Sequence, residues 1–185
     1  PGSSRWADER NWIYDFDADL KAGQSCTFTL KPGLKSVAGT AMEGTNQYQF
    51  KTGGPALVMV NGRADIQPFE GSRIDPKQAF VLKPNGAVNE ASLLKNLYCE
   101  VEGVHERIPV KLIEGKEREQ MLAFLAKNQR REKLKADSGS NVRVVQCQQA
   151  LPFGKNMALV WGKGIVSANG ATNTEARRFK YVVRP

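Results

Sequence analysis

Along two separate stretches of this chain, apolar side chains recur at every second residue, and the two stretches match each other at one fixed shift. Cys26, Phe28 and Leu30 alternate with Thr27 and Thr29, while Tyr48 and Phe50 alternate with Gln47, Gln49 and Lys51. Met157, Leu159 and Trp161 repeat the first pattern, and Phe179, Tyr181 and Val183 repeat the second. A shift of 131, the separation of Gly23 from Gly154, carries one stretch onto the other without a gap. It also brings Leu20 onto Leu151, Gly33 onto Gly164, Ser36 onto Ser167 and Gly39 onto Gly170. Successive side chains of a strand point to opposite faces, so a slip of one residue would turn every apolar residue outward. Registers and turn glycines that agree at one shift therefore indicate two copies of one β module.

The shift sets expected limits. Gly53-Gly54-Pro55 closes the first copy and serves as a linker, with nothing of a phosphate loop around it. Residues 1–54 read as the C-terminal part of a first module whose early strands are missing, and residues 55–185 as a complete second module. Pro1-Gly2-Ser3-Ser4 reads as a cut through a longer polypeptide. A β-sandwich lacking strands leaves open edges that pair elsewhere or stay mobile. Trp12, Tyr14 and Phe16 add a third alternating set to the first copy.

In the second module, strands are expected over Ala56–Val60, Gln78–Leu82, Leu97–Val101, around Ile108, Val110 and Leu112, and over Val142–Cys147. Asn89-Glu90-Ala91-Ser92 marks a short helix start. Between Lys116 and Lys135 the period changes: Met121, Leu122 and Leu125 fall at helical spacing without Gly or Pro, which predicts an inserted amphipathic helix over 116–135. Glu117 and Glu119 near its start and Arg130, Arg131, Lys133 and Lys135 near its end suit the helix dipole. The predicted fold class is mostly β: sandwich modules in tandem, the first incomplete, the second carrying this helix.

The 185 residues are 41% hydrophobic and 25% charged, a globular composition. No apolar run approaches the ~20 residues that cross a bilayer as a helix. Twenty-seven basic against nineteen acidic side chains give +8, which permits anionic partners without identifying one. The basic helix has no interleaved aromatics to stack bases and no accompanying nucleic-acid motif, so it reads as a solvated face. One histidine and three scattered cysteines offer neither a multi-His site nor a C-x-x-C pair. No enzyme, cofactor or metal is expected.

A thioester needs a glutamine three residues after its cysteine; after Cys147 that position is Ala150, so the bond cannot form there. Cys99 and Cys147 lie on expected strands of one module, and a disulfide between them is the preferred pairing over two buried free thiols; it would imply an oxidising compartment. Cys26 is then unpaired or bonded to a missing upstream segment. Glu100 and Glu102 share a strand face and read as solvent-facing rather than as a catalytic pair, and His105 sits beside a turn. Trp12 and Trp161 are expected inside, as are most alternating aromatics, leaving Phe69 and Phe153 as loop aromatics.

Certain strings, in their order, resemble a known family. Arg5-Trp6, Trp12-Ile13-Tyr14-Asp15-Phe16, Leu20-Lys21-Ala22-Gly23 and Cys26-Thr27-Phe28-Thr29-Leu30 are similar to the N-terminal region of large bacterial alpha-2-macroglobulin-like proteins. So are Thr52-Gly53-Gly54-Pro55, Gly71-Ser72-Arg73-Ile74-Asp75, Tyr98-Cys99-Glu100-Val101-Glu102-Gly103-Val104, Arg107-Ile108-Pro109-Val110 and Leu159-Val160-Trp161-Gly162-Lys163-Gly164-Ile165. The leading strings, through Gly33, also look like the closing half of bacterial Ig-like modules. The resemblance implies Ig-like sandwich modules at the front of a long, protease-inhibitor-like envelope protein, outside the cytoplasm and with a scaffold role. Neither a bait segment nor a thioester motif is visible in these residues. Implied partners are the neighbouring domains of the parent chain and, through the parent, proteases, with no nucleic acid and no membrane span. An Ig-like adhesin or glycan-binding module is the alternative.

Overall fold

The computed structural model describes residues 1–57, 66–128 and 141–185. It is mostly β, with two tandem β modules, the first incomplete and the second carrying inserted helices. The first comprises β1 (Gly2–Trp6), β2 (Trp12–Phe16), β3 (Ser25–Thr29) and β4 (Gln47–Lys51), paired as two separate antiparallel hairpins. The second comprises β5 (Ile66–Gln67), β6 (Arg73–Ile74), β7 (Ala79–Leu82), α1 (Glu90–Asn96), β8 (Leu97–Val101), β9 (Val104–Leu112), α2 (Gly115–Asn128), β10 (Arg143–Cys147), β11 (Asn156–Trp161) and β12 (Arg177–Val183). Asn89 caps α1, its side chain accepting the Ser92 N–H at 2.9 Å, which satisfies one of the free donors of the first turn.

The eight strands of the second module form one sheet in the order β5-β7-β10-β9-β8-β11-β12-β6. Its two layers are leaves of that single sheet, folded along β9. The first part of β9 pairs with β8, as in Cys99↔Ile108 and Tyr98↔Pro109. Its last part pairs with β10, from Cys147↔Val110 to Val145↔Leu112. Pro109 stands at the handover, where its missing N–H suits a strand corner and its carbonyl accepts from Gln148 N at 2.8 Å. Across the closed leaves, the rings of Phe80 on β7 and Tyr181 on β12 lie 5.2 Å apart. Around them Leu82, Leu93, Leu97, Val145, Leu159, Ile165 and Phe179 are fully buried.

The repeat extends to individual hydrogen bonds. β3 on β4 and β11 on β12 share one register, Cys26↔Phe50 matching Met157↔Tyr181. The bridge Lys35↔Ala41 recurs as Val166↔Thr172. Gly39 N donates to Ser36 O at 2.9 Å, as Gly170 N does to Ser167 O at 3.0 Å. Gly39 and Gly170 both take φ near +80°, at 82° and 85°, where a β-carbon is disfavoured.

β2 falls on β10 at the same shift of 131, since Trp12–Phe16 lands on Arg143–Cys147. β1 then takes the place of the last part of β9: Asp17 N donates to Pro1 O as Gln148 N donates to Pro109 O. The first module thus holds counterparts of β10, β11, β12 and the end of β9. Among the described residues it has none for the stretch that runs from β5 to β8.

Two expectations meet the limits of the described residues. The strand over Ala56–Val60 shows a bridge from Leu57 to Pro84, and 58–60 lie outside. The helix over 116–135 begins at Gly115 and is described to Asn128; Arg130, Arg131, Lys133 and Lys135 lie outside. Within it Met121 and Leu122 are half-buried, but Phe124 is exposed.

Candidate interaction surface

Three features could carry function: an open aromatic face, a cysteine corner and the junction between modules. The aromatic face follows from the incomplete first module. Trp12, Tyr14 and Phe16, alternating on β2, turn toward Phe28 of β3 and Phe50 of β4. Tyr14 and Phe28 centroids are 5.3 Å apart edge-on, Phe16 and Phe50 6.2 Å edge-on, and Phe28 and Phe50 6.3 Å stacked. These are favourable aromatic geometries, yet the cluster is open. Trp12 is 46% exposed, which corrects the expectation that it lies inside; Trp161 is buried, its indole N–H donating to Pro55 O at 3.1 Å. Tyr48 and Phe50 also alternate as expected without being covered, at 55% and 41% exposure. Their counterparts Phe179 and Tyr181 are at 0% and 2%. The difference is what lies over them: in the second module β7 extends the opposite leaf, its Phe80 ring 5.2 Å from that of Tyr181, whereas among the described residues the first module has no counterpart of β7.

At the corner, Cys99 on β8 and Cys147 on β10 flank β9, with Cα atoms 6.2 Å apart and sulfurs joined. Strands twice removed in a flat sheet stand about 9.6 Å apart, so the fold along β9 is what brings these cysteines within bridging reach. Phe16 occupies the Cys147 position in the first module, so this pairing has no counterpart there. Cys26 is free and half-buried, at the position of Met157.

The junction uses residues that periodicity does not flag. Asn169 Nδ2 donates to the carbonyls of Ala22 at 3.1 Å and Gly23 at 2.8 Å. A side chain at Gly54 would run into the backbone of Thr172 and Asn173. Buried Asn173 accepts from Ile165 N at 2.7 Å and donates to Gly162 O at 2.9 Å, tying down the loop that meets Gly54. The Asn169-Gly170 dipeptide is a turn signal that could have drawn attention to this loop.

The remaining candidates are dispersed. Glu100 pairs with Arg178 at 3.0 Å, and Glu102 accepts from Asn156 Nδ2 at 2.9 Å, so each carboxylate has its own partner on the outer face. The hydrogen bond and charge of Glu100 raise the pKa of Arg178. A shallow cavity of about 380 Å³ runs beside these residues, lined among others by Lys180 and Gly71. His105 is exposed at the start of β9, and Phe69 and Phe153 are exposed on loops. Among the described residues no group of three or more His, Cys, Asp or Glu is arranged to hold a metal, and no helix is long and apolar enough to cross a membrane.

No protein-family model and no curated protein matches the chain. Among solved structures, it is similar to surface layer protein SbsC, domains 1–6, at 17% identity and TM-score 0.37, over 61% of this chain and 13% of that one. The S-layer protein rSbsC(31–844) matches at 18% and 0.37, over 63% and 13%, and the N-terminal part of bacterial S-layer protein SbsC at 15% and 0.36, over 61% and 22%. The chain thus spans about an eighth of the longer structures. At such identities and TM-scores these likenesses decide neither family nor role.

Proposed function

We propose that this chain is a non-catalytic scaffold segment of a bacterial envelope protein of the alpha-2-macroglobulin type, two Ig-like modules divided near residue 54 and locked end to end. The observation that carries the scaffold role is the junction: the paired hydrogen bonds from Asn169 and the close approach at Gly54 hold one module against the next. The ordered strings from Arg5-Trp6 to Gly164-Ile165 support the family. Proteases enter only through the parent protein. A Cys99–Cys147 bond supports a location outside the cytoplasm, where disulfides persist.

Two measurements test this. Backbone ¹⁵N relaxation on the whole chain should give one tumbling time for both modules; two separate times would remove the scaffold role. Mass spectrometry of the protein from its native compartment should find Cys26 alone alkylatable without reduction; three alkylatable thiols would refute the extracytoplasmic placement. A recognition role is favoured by exposed Phe69 and Phe153 alone. Glycan-array binding lost in Phe69→Ala or Phe153→Ala would establish that role instead.

A further inference from the structure

The turn that grips the first module is built on Asn169-Gly170, and the repeat shows that the turn itself does not need the asparagine. At the shift of 131, Asn169 falls on Ala38, yet Gly39 N bonds Ser36 O just as Gly170 N bonds Ser167 O. Asn169 therefore serves the junction. Its Nδ2 donates to Ala22 O at 3.1 Å and Gly23 O at 2.8 Å, while its Oδ1 accepts from the Ser167 hydroxyl. Ala22 and Gly23 are buried, although most of the first module is exposed. Satisfying these three partners takes a side chain that both donates and accepts, as an amide does.

An asparagine followed by glycine is also the pair most open to loss of its amide, because glycine has no side chain to hinder the attack. The Gly170 backbone nitrogen attacks Cγ of Asn169, the Cγ–Nδ2 bond breaks, and ammonia leaves with the Gly170 amide proton. Water then opens the succinimide, leaving the carboxylate of an aspartate or an isoaspartate. Nothing lies within 4 Å of where a β-carbon of Gly170 would stand, so no neighbour crowds the turn there. Asn169 and Gly170 are exposed to the water that the second step consumes. Docking opposes the first step, because any turning of the Asn169 side chain toward the Gly170 nitrogen gives up both hydrogen bonds to the first module.

We propose that Asn169-Gly170 is a one-way latch between the modules: a deamidation site that docking protects and whose conversion prevents docking. This rests on the end-to-end locking of the scaffold reading and adds to it a means of release. A carboxylate offers acceptors only, so after conversion the carbonyl oxygens of Ala22 and Gly23 face a negative charge where they had donors. An isoaspartate also inserts its methylene into the backbone of the turn. A junction that has opened and converted does not re-form.

Three whole chains test this: wild type, Gly54→Ala, which loosens the junction from its other side, and Asn169→Asp, which carries the aspartate product. Each is incubated in mildly alkaline buffer. Peptide mass mapping follows Asn169 separately from the other two Asn-Gly pairs, Asn61-Gly62 and Asn85-Gly86, and ¹⁵N relaxation follows tumbling. Asn169 should convert about tenfold or more faster in Gly54→Ala than in wild type, since conversion passes through the open junction. Asn169→Asp should tumble as two bodies where fresh wild type tumbles as one. Two tumbling times in fresh wild type would sink the scaffold reading, and the latch with it. With one time in wild type, equal conversion in Gly54→Ala and wild type would overturn the latch alone, and so would an unchanged single time in Asn169→Asp.

Discussion

Tyr48 and Phe179 occupy one position of the repeated fold, and replacing each by Ala separates what alternation specifies from what burial costs. Phe179 is fully buried on β12, so its truncation removes the transfer free energy of a ring and leaves a cavity, about 3–5 kcal/mol. Tyr48 is 55% exposed and stands opposite Phe28 on β3, a cross-strand pair worth at most about 1 kcal/mol. Hydrogen exchange resolved by peptide mass spectrometry reads both on the intact chain, since each 1.36 kcal/mol of lost stability speeds exchange through global opening about tenfold. Phe179→Ala should therefore accelerate exchange across β11 and β12 by roughly 150-fold or more. Tyr48→Ala should accelerate β3 and β4 by no more than roughly fivefold. Comparable acceleration in the two variants would refute the reasoning, for it would mean that the face carrying Tyr48 is covered in solution.

Reducing Cys99–Cys147 opens a loop with a separation of 48 positions, and urea unfolding should show about 4 kcal/mol less stability, a figure from the chain-entropy relation. Gly54→Ala forces a side chain into the Thr172–Asn173 backbone and should destabilise the junction by about 1–3 kcal/mol, seen as faster exchange at Ala22 and Gly23. In the β1–β2 turn, the Asn11 side chain, then the backbone N–H groups of Arg10 and Asn11, hold the Asp8 pKa below its usual value. A carboxylate depressed by folding contributes stability above its unfolded pKa and loses it as pH falls through the folded one. NMR titration should accordingly show the Asn11 amide shift moving at a pH below the ordinary Asp midpoint, and no movement there in Asp8→Ala.

Much of the architecture was legible in the residues. Met157–Trp161 and Cys26–Leu30 announce strands by period two, and the shift of 131 relates them before any coordinate is known. The Asn89 helix start and the Leu97–Val101 strand follow from local signals of the same kind. The repeat made the incomplete first module and its open edges legible, but not that Trp12, Tyr48 and Phe50 stay uncovered, because Tyr48 and Phe179 sit in near-identical local patterns. Nor were Asn169, Asn173 and Gly54 visible as a junction: their partners lie far along the chain, and Asn173 corresponds to Met42, so the repeat does not mark it. Pro109, inside an otherwise regular strand, was the available clue to the fold along β9.

By itself the sequence determined the extended stretches of β2 to β4 and β7 to β12, which side of the alternating ones is apolar, and that the pattern occurs twice, since these depend on neighbours a few bonds away; β1, β5 and β6 carry no such local signal. The tertiary structure alone decided which apolar faces are covered, how near Cys99 and Cys147 come, and where one module grips the next. Burial and contact depend on strands separated by tens of residues, and near-identical local patterns meet different fates when, among the described residues, only one copy has the strand that covers them.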